Sequence, residues 1–169
     1  MNKQLHRKEL LKLIEANKGI IFKICNSYCK NEDDREDLAQ EIVYQLLRSY
    51  AGFTVENKFS TWMYLVALNV AISFYRKTKM NNNVIRLGET DADIEDKTDG
   101  NAELEQNINR LQQFINELKE LDRALMILYL EEKNYKEMSE ILGITETNVA
   151  TKISRIKDKL KQQFSIVNN

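Results

Sequence analysis

Residues 135–164, YKEMSEILGITETNVATKISRIKDKLKQQF, read as a helix, a sharp turn and a second, longer helix. Tyr135, Met138, Ile141 and Leu142 fall at helical spacing, and Gly143 supplies the left-handed stop that residues with a Cβ resist. Thr145 or Thr147 is placed to cap the next helix, with Glu146 at its positive end. In that helix Val149, Ile153, Ile156, Leu160 and Phe164 form one apolar stripe. At about 100° per residue, Thr147, Thr151, Ser154 and Arg155 point roughly the opposite way, with Asn148 beside them. Hydroxyls, an amide and a guanidinium on the outer face of an N-terminal helical half suit base edges and phosphates in a major groove. An ordinary helical hairpin with a solvated face is the blander reading of the same pattern.

The chain around this stretch predicts an all-α protein. Its 169 residues are 43% hydrophobic, enough for a real core, and hold five glycines and no proline. No apolar run approaches the roughly 20 residues that span a bilayer. The N-terminal MNKQLHRKELLKLIEANKG lacks the apolar core of a signal peptide, which predicts a cytoplasmic protein. Cys25 and Cys29 lie four apart on one expected helix, and His6 is the only histidine. That set falls short of a tetrahedral zinc site, so buried thiols and no bound metal are expected. There is no phosphate-cradling glycine loop and no glycine-flanked serine. Neither a catalytic centre nor a cofactor is expected.

Charge divides the chain. Residues 1–80 carry 13 Lys and Arg against 9 Asp and Glu, net +4; residues 81–106 carry 2 against 8, net −6. Residues 107–169 carry 10 against 9, but 150–163 alone hold five basic side chains and one acid. An acidic, polar middle between two apolar-patterned segments reads as a linker. Two small helical domains are expected, at 1–80 and 102–169, joined by a flexible acidic linker at 81–101.

In the first of these, Leu10, Ile14, Ile21, Ile24, Cys25 and Tyr28 predict one amphipathic helix or a pair broken near Gly19. A polar turn at Lys30–Asp34 offers a cap. Leu38, Ile42, Leu46 and Tyr50 then recur by fours, leaving Asp37, Gln40, Glu41 and Tyr44 displayed on the rest of a rigid helix. Next, Phe59, Met63, Val66, Val70 and Phe74 form an expected buried stripe. Trp62, Tyr64 and Tyr75 lie off it, Asn69 interrupts the apolar run, and Arg76, Lys77 and Lys79 follow. Aromatics beside basic residues are the ingredients of a single-strand site, because bases stack on rings while cations hold the backbone.

The segments EDLAQEI (36–42), FSTWMYLVALNVAISFYRK (59–77) and the 135–161 helix pair, in this order, resemble the sigma-70 family of bacterial RNA polymerase sigma factors. The compact length is similar to the extracytoplasmic-function (ECF) group of that family. The resemblance implies a promoter-specificity subunit whose partners are core RNA polymerase, promoter DNA and, in some cases, an anti-sigma factor. It implies that Asp37, Gln40, Glu41 and Tyr44 dock on the polymerase's largest subunit. Phe59, Trp62 and Tyr64 would lie in the segment associated with duplex opening. Asn69, Arg76 and Lys77 would face the minus-ten element, where a flipped base enters a protein pocket. Thr147, Asn148, Thr151, Lys152, Ser154 and Arg155 would read the minus-thirty-five element, and the acidic linker would follow the path of emerging RNA. Two departures matter: Ala150 and Lys152 stand where many members place arginines, which shifts weight to Thr151, Lys152 and Arg155. The family's proline near the start of the second domain is also missing, with Leu121-Asp122-Arg123 in its place. A free-standing helix-turn-helix regulator is the alternative reading.

Overall fold

The computed structural model describes residues 2–53, 58–85 and 102–167, with side chains described for 6–51, 53, 58–80 and 102–165. Among these residues are eight α-helices, one short 3-10 turn and no strand. The first half holds α1 (Asn2–Ala16), α2 (Lys18–Tyr28), α3 (Glu32–Ser49), the 3-10 turn Tyr50–Gly52 and α4 (Phe59–Ile85). The second holds α5 (Ala102–Glu117), α6 (Glu120–Leu130), α7 (Tyr135–Leu142) and α8 (Glu146–Val167).

Local chemistry sets the boundaries. The first helical stretch is a broken pair, and the break falls at Asn17. The Asn17 side-chain amide donates to the Leu13 carbonyl at 2.8 Å, competing with continuation of the helix. Gly19, where the break was expected, sits inside α2. Asn31 caps α3 by accepting from the Asp34 backbone N–H at 2.8 Å, and Glu32, Asp33 and Asp34 fill the first turn at the positive end of the dipole. Asn134 caps α7 in the same way, accepting from the Glu137 N–H at 2.8 Å. Gly143 ends α7 with φ +67°, and Thr145 accepts from the Asn148 N–H at 3.1 Å to start α8.

Two expectations shift. Helix α4 runs on to Ile85, five residues into the stretch assigned to the linker. The rest of that linker, 86–101, lies outside the described residues. The buried face of α4 is also wider than the expected stripe. Met63, Tyr64, Val66, Ala67, Leu68 and Ala71 are buried, whereas Phe59, Val70 and Phe74 are only partly covered. The reason is packing on more than one side: α4 lies against α2 and α3 and also against α6 and α7.

The two halves therefore touch. Helix α6 has Arg123 to Leu128 buried in succession, which a helix covered on one side cannot do. It packs on α8 and α5 of its own half and on α2 and α4 of the first. Buried cores of both halves join into one cluster, at residues such as Ile24, Leu38, Ile42 and Leu46 on one side and Leu125, Leu128, Met138 and Ile153 on the other.

Cys25 and Cys29 are free, buried thiols. Burial pushes Cys25 up to about 11 and Cys29 up to about 12, so both stay protonated at neutral pH. Alkylation of the native protein by iodoacetamide should be slow at pH 8 and become fast on adding denaturant. Because the folded values lie above the ordinary 9.0, the contribution of these thiols to stability is intact below pH 9.0 and is lost as pH rises past it. A Cβ at Gly143 meets no atom within 4 Å, so its replacement acts through the backbone alone. Gly143→Ala should cost about 1–2 kcal/mol in urea unfolding, the left-handed penalty, and Gly143→Asn should cost less.

Candidate functional site

Three faces hold the sequence-derived candidates. On α8, Val149, Ile153 and Ile156 are at most 2% exposed, seated on α6 and α7. That anchoring turns Thr147, Asn148, Thr151, Ser154 and Arg155 outward, all exposed. The Thr151 hydroxyl donates to the Thr147 carbonyl at 2.9 Å, leaving its oxygen free to accept. Lys152 differs from its neighbours. It is half-buried on the flank and paired with Asp122 of α6 at 3.6 Å, which restrains its cation. Lys157, on the opposite flank, lies over the Tyr129 ring at 4.4 Å.

On α3, Asp37, Gln40, Glu41 and Tyr44 share one exposed stripe, at spacings of three, one and three. Leu38, Ile42 and Leu46 are fully buried on the other side and hold this stripe rigid. Tyr44 is 56% exposed, a large ring standing in solvent beside two carboxylates and an amide. An exposed aromatic rimmed by fixed polar groups is a surface suited to protein docking.

On α4, Trp62, Asn69, Arg76 and Lys77 face one side of the helix, with Phe59 at its edge. Phe59 and Trp62 belong to a four-ring cluster that the sequence reading only half named. Phe53 lies 5.4 Å from Trp62, 5.8 Å from Phe59 and 6.1 Å from Tyr50, and Tyr50 lies 6.2 Å from Trp62, centroid to centroid. The rings are half-buried, so they are packed firmly enough to hold position and still present edges to a partner. Phe53 was missed because it sits outside any helical stripe, just after the 3-10 turn. Only its proximity in a short connection to Phe59 could have flagged it.

Tyr64 stands apart. It is 3% exposed on the far side of α4, with the Lys133 ammonium 5.6 Å from its ring centroid. The structure separates it from Phe59 and Trp62, because two residues along a helix turn a side chain by about 200°. Arg76 is likewise engaged, donating from Nε to Glu120 at 2.8 Å. That bond holds the Glu120 carboxyl below its usual range. Lys77 and Asn69 are exposed.

No group of three or more His, Cys, Asp or Glu suited to a metal occurs among the described residues, and no helix among them is long and apolar enough to cross a membrane.

The chain matches the family described as Sigma-70 region 2 over residues 13–80 and that described as Sigma-70, region 4 over 108–160, together more than two thirds of its length. It is 29% identical to the ECF RNA polymerase sigma factor SigW of Bacillus subtilis (strain 168), covering 90% of this chain and 87% of that one. It is 27% identical to the RNA polymerase sigma factor SigV of the same organism, over 96% and 95%. The fold is similar to the sigma factor RpoE solved in complex with the anti-sigma factor NepR from Bartonella quintana. There the TM-score is 0.69 at 20% identity, covering 94% of this chain and 96% of that one. CnrH in complex with the cytosolic domain of CnrY gives a TM-score of 0.67 at 14% identity, covering 97% and 95%. The exposed stripe on α3, the ring-and-cation face on α4 and the polar face on α8 all lie within these two matched regions, and the chain belongs to the sigma-70 family of RNA polymerase sigma factors, in its ECF group.

Proposed function

We propose that this chain binds core RNA polymerase and directs it to promoters by recognising minus-ten and minus-thirty-five elements. The observation that supports this most is the presence, in one chain, of two different DNA-suited faces beside a separate protein-docking stripe. The chain performs no chemistry of its own in this reading; the polymerase does, and both act in the cytoplasm. Residues 1–80 form the module for core binding and the minus-ten element, 102–169 form the module for the minus-thirty-five element, and 81–101 link them. An anti-sigma factor is a further partner, since RpoE and CnrH were each solved with a protein partner, in RpoE's case an anti-sigma factor.

The roles follow from the chemistry of each face. Asp37, Gln40, Glu41 and Tyr44 dock on the polymerase. Phe59 and Trp62, backed by Phe53 and Tyr50, provide the wedge of rings against which unpaired bases stack. Asn69 offers an amide to the edge of an extruded base, and Arg76 and Lys77 hold the backbone. Tyr64 contributes to this surface only if α4 loses its cover from the second half. On α8, Thr147, Asn148, Thr151, Ser154 and Arg155 face a major groove, with Lys152 reaching a phosphate at the flank.

Affinity explains why the polymerase is required. Duplex binding comes mostly from neutralised phosphates, and neither half has a large excess of positive charge. Two weak sites held at the correct separation by one large partner gain through effective concentration.

Run-off transcription with purified core enzyme over a fragment library of the host genome tests the proposal: a chain that neither joins core nor directs a start site would overturn it. Asp37→Ala with Gln40→Ala should weaken core binding by about tenfold without changing the unfolding midpoint; unchanged co-elution with polymerase would remove these residues from the interface. Arg155→Ala should cost about 1–3 kcal/mol of upstream-element binding and relax specificity at one base pair. An equal loss on every promoter sequence would make Arg155 a phosphate contact instead.

A further inference from the structure

Five basic side chains crowd residues 150–163 of α8, and the structure does not leave them equally free. Asn148, Lys152, Arg155 and Lys159 recur at spacings of four, three and four, which sets them along one edge of the helix. Arg155 and Lys159 are exposed and make no ion pair among the described residues. Lys152 is the exception on this edge. Its ammonium lies 3.6 Å from the Asp122 carboxylate, with the two side chains 31% and 21% exposed. Asp122 is fixed independently: it is the third residue of α6, at the positive end of that helix's dipole, and α6 is packed on α8. The pair faces a cleft of about 320 Å³ that Arg155, Asp158 and Lys159 also line. Asp158 is exposed and holds no cation among the described residues.

Resting on the sigma reading above, we propose that Asp122 is a positioning residue for upstream-element recognition. It ties Lys152 to the flank and so subtracts one phosphate contact from α8. A lysine with no protein partner releases a counterion when it meets a phosphate, and such contacts raise affinity for any duplex alike. Lys152 reaches a phosphate only by giving up Asp122. That step exchanges one anion for another and leaves a carboxylate unpaired beside the duplex, so almost no counterion is released. A partly exposed pair holds only modestly against water, but it presents no net charge to the approaching backbone, where Lys152 alone would present a cation.

The tie divides the work of this edge. Lys159 lies one turn beyond Arg155, carries no carboxylate, and is the cation left for the backbone. Thr151 and Arg155 remain for base edges. A larger share of α8 binding then depends on sequence than its five basic side chains would suggest.

The test has one arm without DNA and one with it. In the free full-length chain, acylation by acetic anhydride read by mass spectrometry should label Lys152 several-fold more slowly than Lys159. Asp122→Asn should bring Lys152 up to the Lys159 rate, and Asp122→Glu should keep it slow. Asp158→Asn should leave it unchanged, since Asp158 lines the cleft without pairing. Holoenzyme assembled with core polymerase is then titrated with a promoter fragment from the run-off selection, and with the same fragment carrying a scrambled minus-thirty-five element. Asp122→Asn should bind both fragments several-fold tighter than wild type. That advantage should shrink about threefold when salt is raised about fourfold, the signature of one added phosphate contact. Lys152→Gln should abolish the gain in the Asp122→Asn background, and Lys159→Gln should weaken wild type equally on both fragments. Three results would overturn the proposal: Lys152 labelled as fast as Lys159 in wild type, an equal salt-dependent gain from Asp158→Asn, or a gain that survives Lys152→Gln. Core that fails to join the wild-type chain counts against the sigma reading instead, since labelling of the free chain decides the tie between Asp122 and Lys152 without it.

Discussion

A helix with one apolar stripe can bury it in only one rotation, and that rotation decides what its opposite side shows to a partner. The whole molecule rests on this constraint. Val149, Ile153 and Ile156 are seated on α6 and α7, so Thr147, Thr151 and Arg155 have nowhere to point but outward. Leu38, Ile42 and Leu46 do the same for the Asp37–Tyr44 stripe on α3. Each exposed face is therefore held by packing and not by its own polar contacts. Such faces can be read by a partner without first being ordered, which avoids the entropy of fixing side chains on binding.

Helix α4 shows what happens when the constraint is doubled. It lies between its own bundle and the second half, so two sides are covered and the exposed strip is narrow. The strip still keeps Trp62, Asn69 and Arg76 together, because a spacing of seven returns close to the same side of a helix, and Lys77 lies about 60° round from Trp62. Tyr64 falls on the second covered side. The same helix thus leaves one face exposed and packs another on α6 and α7.

The junction between the halves adds polar and aromatic contacts to a shared apolar core. The apolar cores of the two halves run together, and Arg123, Tyr28, Tyr75, Arg76 and Glu120 add hydrogen bonds, ring contacts and an ion pair across the same boundary. Polar, aromatic-lined contacts lose less on separation than apolar ones, because each group regains water.

By itself the sequence determined what acts over four residues or fewer. The caps at Asn31, Asn134 and Thr145, the left-handed stop at Gly143 and the single stripes of α3 and α8 follow from hydrogen bonds and side-chain spacing within a turn. For that reason the all-helical class and the outward residues of α8 were legible. Aromatic and basic letters also marked α4, but spacing reports that a side is covered and never by what. Tertiary structure alone decided the rest: Phe53 joining Phe59 and Trp62, Tyr64 turning inward, Lys152 tied to Asp122, and Arg123 placed between Tyr28 and Tyr75. These partners lie from 6 to 95 positions apart and carry no mutual period. What joins them is the free energy of packing two half-covered bundles against each other, a quantity that no local pattern encodes.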